Sequence, residues 1–138
     1  MTLAAVAGLP EMTGWARAMG IVVVSGGVDE VSVELEIREM HRQSFGLVHG
    51  GVYCGLVETA CSLGASIVAH ARQQVVVGLE NSTSFLKATR AGLLRATAVP
   101  LSRGRTTQVW QSTIRDAGDQ VVAVGSVRFL CTARPASK

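Results

Sequence analysis

One stretch constrains this chain more than any other: His49–His70, reading HGGVYCGLVETACSLGASIVAH. From Gly50 to Ala69 it carries a single charge, Glu58, and Val52, Leu56, Ala60, Leu63 and Ile67 recur at helical spacing. About 20 apolar residues are enough to cross a bilayer. Here, however, Glu58 would sit near mid-membrane, four glycines dilute the run, and no aromatic belt flanks it. The stretch is therefore read as a core helix, apolar nearly all round and wrapped by a sheet.

On that helix the neighbours of Glu58 are Gly51, Cys54, Gly55, Ser62, Ala65 and Ala69. The carboxylate thus lies on a face of small residues that a ligand or another backbone can approach closely. Such a group is costly unless paired or hydrogen-bonded, and proteins keep it either where it titrates or reacts, or in a structural ion pair with an Arg. The helix start also allows two readings. Gly50 and Gly51 let a substrate oxygen reach free N–H groups at the positive end of the helix dipole, or simply make a tight turn into the helix.

The rest of the chain supplies the wrap. Ile21–Ser25 and Val31–Arg38 are β-rich and joined through Gly26-Gly27; in the second, Val31, Val33, Leu35 and Ile37 alternate with Ser32, Glu34, Glu36 and Arg38, one face dry and the other wet. After the helix come Gln73–Leu86, Gly92–Leu101, Thr106–Arg115 and Gln120–Thr132, with turns at Ala88–Gly92, Gly104 and Ala117–Asp119. In the first of these, Val75, Val77, Leu79, Asn81, Thr83 and Phe85 share one side. A short helix is expected from Pro10 through Met19, ended by Gly20, with Trp15 and Met19 on one face. The order ββ, long helix, ββββ predicts an α+β fold, one antiparallel sheet curling round one helix, over a single domain 1–138 whose residues 1–20 form an N-terminal segment.

Composition narrows the chemistry. Three cysteines argue against a disulfide framework, and Cys54 and Cys61, ~10.5 Å apart by helical rise, are beyond bridging distance. His41, His49 and His70 form no cluster at ligand spacing, so no metal and no cofactor are expected. The net charge of +3 is mild and spread along the chain, a weak case for nucleic acid. Met1–Pro10 is apolar, but its apolar run is short and no Lys or Arg precedes it, so a secretory signal is not expected; the location is read as cytoplasmic, with no membrane as partner.

The run Gln43-Ser-Phe-Gly-Leu-Val-His49-Gly50-Gly51, with Glu58 nine positions after the His, resembles the hotdog-fold acyl-CoA thioesterases of the 4-hydroxybenzoyl-CoA and phenylacetate-pathway type. Ser102-Arg-Gly-Arg-Thr-Thr-Gln-Val-Trp110 is also similar to that family, and the resemblance spans about Trp15 to Leu130. It implies a hotdog fold and a thioesterase in which Glu58 attacks the thioester or activates water, and the Gly50 N–H polarises its carbonyl. Gln43 would orient thioester or water, His49 would support the loop and contact the thioester, and Ser62 would position the water. Arg103, Arg105 and Thr106, with Lys87 and Arg90, would meet the phosphates of coenzyme A, while Phe45 and Gly51 would line the acyl site. It further implies a homodimer at least, with a tetramer expected, each site lying between two subunits. The acyl group is expected to be aromatic, with medium aliphatic chains next. Two alternatives stand beside this: a non-catalytic acyl-CoA sensor or carrier, and a hotdog dehydratase or hydratase.

Overall fold

A computed structural model describes residues 11–137. What was expected of Met1–Pro10 lies outside the described residues. The elements are α1 (Gly14–Met19), β1 (Val22–Gly26), β2 (Val31–Glu36), a 3-10 turn (Glu39–His41), α2 (Gly50–Ala71), β3 (Gln74–Phe85), β4 (Leu93–Arg103), β5 (Thr107–Arg115) and β6 (Val121–Ala133). The strands form one antiparallel sheet in the order β1-β2-β4-β5-β6-β3. That is the hotdog arrangement, α2 lying in the curl of the sheet against β2 to β6.

The core forms because α2 and the inner sheet face present matching apolar surfaces. Leu56, Val57, Ala60, Cys61 and Ala65 of α2 meet Val31, Val33 and Leu35 of β2, Leu94, Ala96 and Ala98 of β4, Trp110 and Ile114 of β5, and Val127 and Phe129 of β6. Leu63 is only partly buried; Cys54, Gly55, Glu58 and Ser62 remain on the open side of α2, whereas Ala65 and Ala69, expected on the same small-residue face, are buried. The helix is long and apolar enough to span a membrane, yet most of its apolar surface is buried by its own sheet.

Three expectations need correction. First, α1 starts at Gly14 rather than near Pro10: Thr13 is extended and Gly14 has φ +62°, a turn that glycine adopts readily. The helix does end at Gly20 (φ +78°), whose N–H donates to Arg17 O at 2.9 Å. Second, Ser32 is buried although its face was expected to be wet: it is small and sits between its cross-strand partners Ser25 and Thr97, whereas Glu34 and Glu36 on the same face are half-buried and exposed. Third, the alternation along β3 breaks. Gly78 pairs with Phe129 and Glu80 with Arg128, so Leu79 is an extra, bulged residue. Val76 and Gly78 therefore share the inner side with Asn81, Thr83 and Phe85, opposite the inward-facing Phe129 and Val127, while Val75 and Val77 point outward. The bulge turns Asn81 toward α2.

Candidate active site

The loop into α2 is tightly self-bonded. Arg42 and Val48 form a bridge, Gln43 N donates to Leu47 O at 2.7 Å, and Gly46 N donates to Gln43 O at 2.9 Å. Gln43 Oε1 accepts from Phe45 N at 2.5 Å, and its Nε2 has no bonded partner among the described residues. His41, fully buried, sits beneath this loop. Its backbone O accepts from His49 N at 2.9 Å, its Nδ1 accepts from Arg38 N at 2.8 Å, and its Nε2 donates to Met19 O at 2.9 Å. The donor on one ring nitrogen and the acceptor on the other select the neutral tautomer, and the ring ties the end of α1 to the start of α2.

His49 is the N-cap of α2. Its Nδ1 accepts from Gly51 N at 2.8 Å, while Val52 N donates to His49 O at 2.9 Å. The Gly51 N–H is therefore occupied, a correction to the expectation of two free glycine donors. The Gly50 N–H has no acceptor among the described residues and points from the positive end of a 22-residue helix. Phe85, arriving from β3, lies across Gly50: a Cβ there would stand 2.6 Å from Cε2 of the ring. Phe85 also packs on Tyr53 with ring centroids 5.7 Å apart.

Glu58 lies two turns into the helix, on its half-buried open side. None of the salt bridges among the described residues involves it, so the structural Arg pair is absent. Its partner is Asn81, whose Nδ2 donates to Glu58 Oε2 at 2.9 Å and also reaches Cys54 O at 3.1 Å. Thr83 Oγ1 in turn donates to Asn81 Oδ1 at 2.7 Å, so the amide cannot turn over. Oε1 keeps one long contact, 3.4 Å from Ser62 Oγ, and faces the strand at Gly78, where a Cβ would approach it to 3.1 Å. Cys61 beside it is no rival nucleophile. Burial, reinforced by the Glu58 charge, pushes its thiol far up, so the thiol stays protonated.

The expected site residues thus fall into groups. Gln43, His49, Gly50 and Gly51 surround the helix start with Phe45, which is 84% exposed. Glu58 lies ~12 Å and Ser62 ~18 Å beyond Gly50 along the helix axis. Arg90 braces the loop, its Nη1 donating to Phe45 O at 3.3 Å and its O accepting from Arg42 Nε at 2.7 Å. Lys87 pairs with Asp116 at 2.9 Å and bonds Gln120, so it holds the β5–β6 turn rather than standing free. Arg103 is paired with Asp29 at 2.7 Å and Val28 O at 2.8 Å. Arg103 and Arg105 line a cavity of about 390 Å³ with Arg72 and Gln74, ~20 Å along α2 from Glu58. Thr106 adjoins it and accepts from Cys131 N through its backbone O.

Asn81, Phe85 and Arg72 stand at the site without a functional role having been evident from local sequence. An Asn inside a strand otherwise rich in Val, Thr and Phe was the available signal for the first, since Asn is depleted in strands. Nothing local marked Phe85 or Arg72.

Residues 45–123 match the model of the Thioesterase superfamily. The chain is 36% identical over 111 residues to 1,4-dihydroxy-2-naphthoyl-CoA hydrolase of Listeria monocytogenes, covering 80% of this chain and 89% of that protein. Its fold superposes on a thioesterase of Haemophilus influenzae with a TM-score of 0.81 at 30% identity, covering 86% of this chain and 82% of that one. It also superposes on a Mycobacterium tuberculosis protein that bears an esterase name, with a TM-score of 0.85 at 38% identity and coverage of 88% and 98%.

Proposed function

We propose a mechanism on one premise: this chain belongs to the thioesterase superfamily, and it is a thioester hydrolase. Its substrate on this reading is an acyl-CoA, with an aromatic acyl group preferred and medium aliphatic chains next. One observation carries the reading. Glu58 sits on the open small-residue face of α2 with one carboxylate oxygen clamped by Asn81 at 2.9 Å and the other left with only a 3.4 Å contact.

That lopsided bonding suits chemistry at Oε1. The oxygen either attacks the thioester carbon or takes a proton from the water that does, with Ser62 Oγ beside it. The carbonyl oxygen then gains negative charge, which the unpaired Gly50 N–H at the helix terminus stabilises. Collapse expels coenzyme A as a thiolate, a good leaving group, so no strong general acid is required; where Glu58 is the nucleophile, water then cleaves the resulting acyl-glutamate anhydride to release the free acid and restore the carboxylate. The unbonded Nε2 of Gln43 and the free face of His49 border the thioester.

Catalytic groups must stand within ~3 Å of the reacting atoms, whereas Gly50 and Glu58 of one chain are separated by ~12 Å along the helix. The reading therefore places the site between subunits, the helix start of one facing Glu58 of the other. The unpaired edge of β3, twelve residues long, supports a homodimer through sheet continuation, with further pairing to a tetramer. The Arg72, Arg103 and Arg105 cavity is assigned to the coenzyme A phosphates, Arg105 being the side chain there without a bonded partner among the described residues.

The test is thiol release from a panel of aromatic and aliphatic acyl-CoAs by wild type, Glu58→Gln and Glu58→Ala. Loss of ~10²-fold or more in both folded variants is expected. Activity equal to wild type in the variants would make Glu58 structural.

A further inference from the structure

No residue of α1 is buried, yet its one aromatic side chain has a defined seat on α2. Trp15 is 49% exposed, and its indole lies directly on Gly55 of α2; a methyl group at position 55 would overlap the ring at Cη2 and Cζ3. Gly55 is three residues before Glu58, so the two are neighbours on one helix face, ~5–6 Å apart at Cβ. The far side of that face is bounded by β3, whose Asn81 holds the carboxylate. Glu58 is thus flanked by a polar strand on one side and, three residues back along the helix, by an indole on the other.

The indole wall is braced. The Ile21 N–H returns to Ala16 O at 3.0 Å, Arg38 Nη2 donates to Met19 O at 3.2 Å, and the buried His41 ring donates to the same carbonyl at 2.9 Å. Met12, Ala16 and Met19 pack on the core edge beneath. A half-exposed tryptophan on a braced backbone, its ring resting on Gly55, presents a flat apolar surface at limited entropic cost on binding.

Resting on the Glu58 reading above, we infer that the Trp15 indole is the acyl-facing wall of the substrate pocket and selects planar aromatic acyl groups over straight aliphatic chains. Gly55 is its seat, and any side chain at 55 displaces the wall. The ring touches the acyl group only, so it governs which thioester binds and leaves the bond-breaking groups as they are.

Two measurements test this. The first is the ratio of kcat/KM for benzoyl-CoA to that for hexanoyl-CoA in wild type, Trp15→Ala, Trp15→Phe and Gly55→Ala. The ratio falls about tenfold in Trp15→Ala and Gly55→Ala and is kept within about threefold in Trp15→Phe. An unchanged ratio in both of the first two overturns the inference. The second uses emission, because the chain has two tryptophans and Trp110 is wholly buried. In a Glu58→Gln background, benzoyl-CoA changes the emission beyond the effect of coenzyme A alone, and the change is lost when Trp15→Phe is added. Saturable binding with no such change also overturns it, and this arm decides should Trp15→Ala fail to fold. Wild type inert toward every thioester would instead sink the Glu58 reading and the inference with it. Active wild type with a ratio blind to Trp15 sinks the inference alone.

Discussion

Both tryptophans of this chain are seated on glycines of the same helix, and they are used in opposite ways. Trp110 of β5 lies on Gly64, fully buried, its indole N–H donating to Gln108 Oε1 at 2.9 Å. Gln108 is itself buried and bonds Ala65 O at 3.2 Å and Cys131 Sγ at 3.5 Å. Trp15 lies on Gly55, nine residues earlier and on the open side, with half its surface in solvent. The same close approach of ring to helix backbone thus stabilises the core at one site and leaves a surface for a ligand at the other. The polar pairs repeat the contrast: Gln108 with Trp110 is closed on all sides, whereas Asn81 with Glu58 keeps one carboxylate oxygen nearly free.

Stability measurements separate the two tryptophans most directly. Trp110→Ala should lower unfolding free energy by ~3–5 kcal/mol in urea titration, because it empties a core site that cannot collapse fully. Trp15→Ala should cost less than ~1 kcal/mol, and equal losses would erase the distinction. Gly64→Ala should cost ~1–3 kcal/mol by overpacking against a ring with nowhere to go. Gly55→Ala should be close to neutral, since the exposed ring can swing away and alanine gains ~1 kcal/mol of helix propensity.

The polar contrast is sharpened by Asn81→Ala. Releasing the clamp on Glu58 should lower kcat/KM for acyl-CoA about tenfold, ~1.4 kcal/mol, with little change in melting temperature. An activity unchanged by this substitution would mean that Oε2 needs no fixing. The smallest effect is expected far from both tryptophans. The hydrogen bond from Lys87, with backbone N–H groups of Gln120 and Gly118, holds the Asp116 carboxyl below its ordinary value. A depressed carboxyl pKa contributes stability above the unfolded value, near 3.8, and loses it as pH falls through the folded one. Asp116→Asn should therefore melt slightly below wild type at pH 7, the two curves converging as pH falls through the lowered pKa of the folded carboxyl. A constant gap at all pH values would assign the effect to packing of the turn instead.

Much of the fold was legible in local pattern. The apolar run at helical spacing predicted α2 to within a residue of Gly50–Ala71, and alternation and turn residues located every strand to within about two. The turn from Thr13 into Gly14 was not legible, because it depends on a positive φ that the sequence permits without requiring. The bulge at Leu79 was also hidden. One extra residue leaves composition unchanged while exchanging the two faces of the strand beyond it.

For the candidate site, the sequence by itself determined that a lone carboxylate, Glu58, would ride on a small-residue face two turns from a paired-glycine helix start. Residues on one helix have their mutual geometry set by 3.6 residues per turn. Tertiary structure alone decided what each group meets. Asn81 reaches Glu58 across 23 residues, Lys87 finds Asp116 across 29, and Trp15 settles on Gly55 from another helix. These pairings follow from how far the sheet curls and where its bulge falls, which depend on the packing of the whole core rather than on any neighbouring residues.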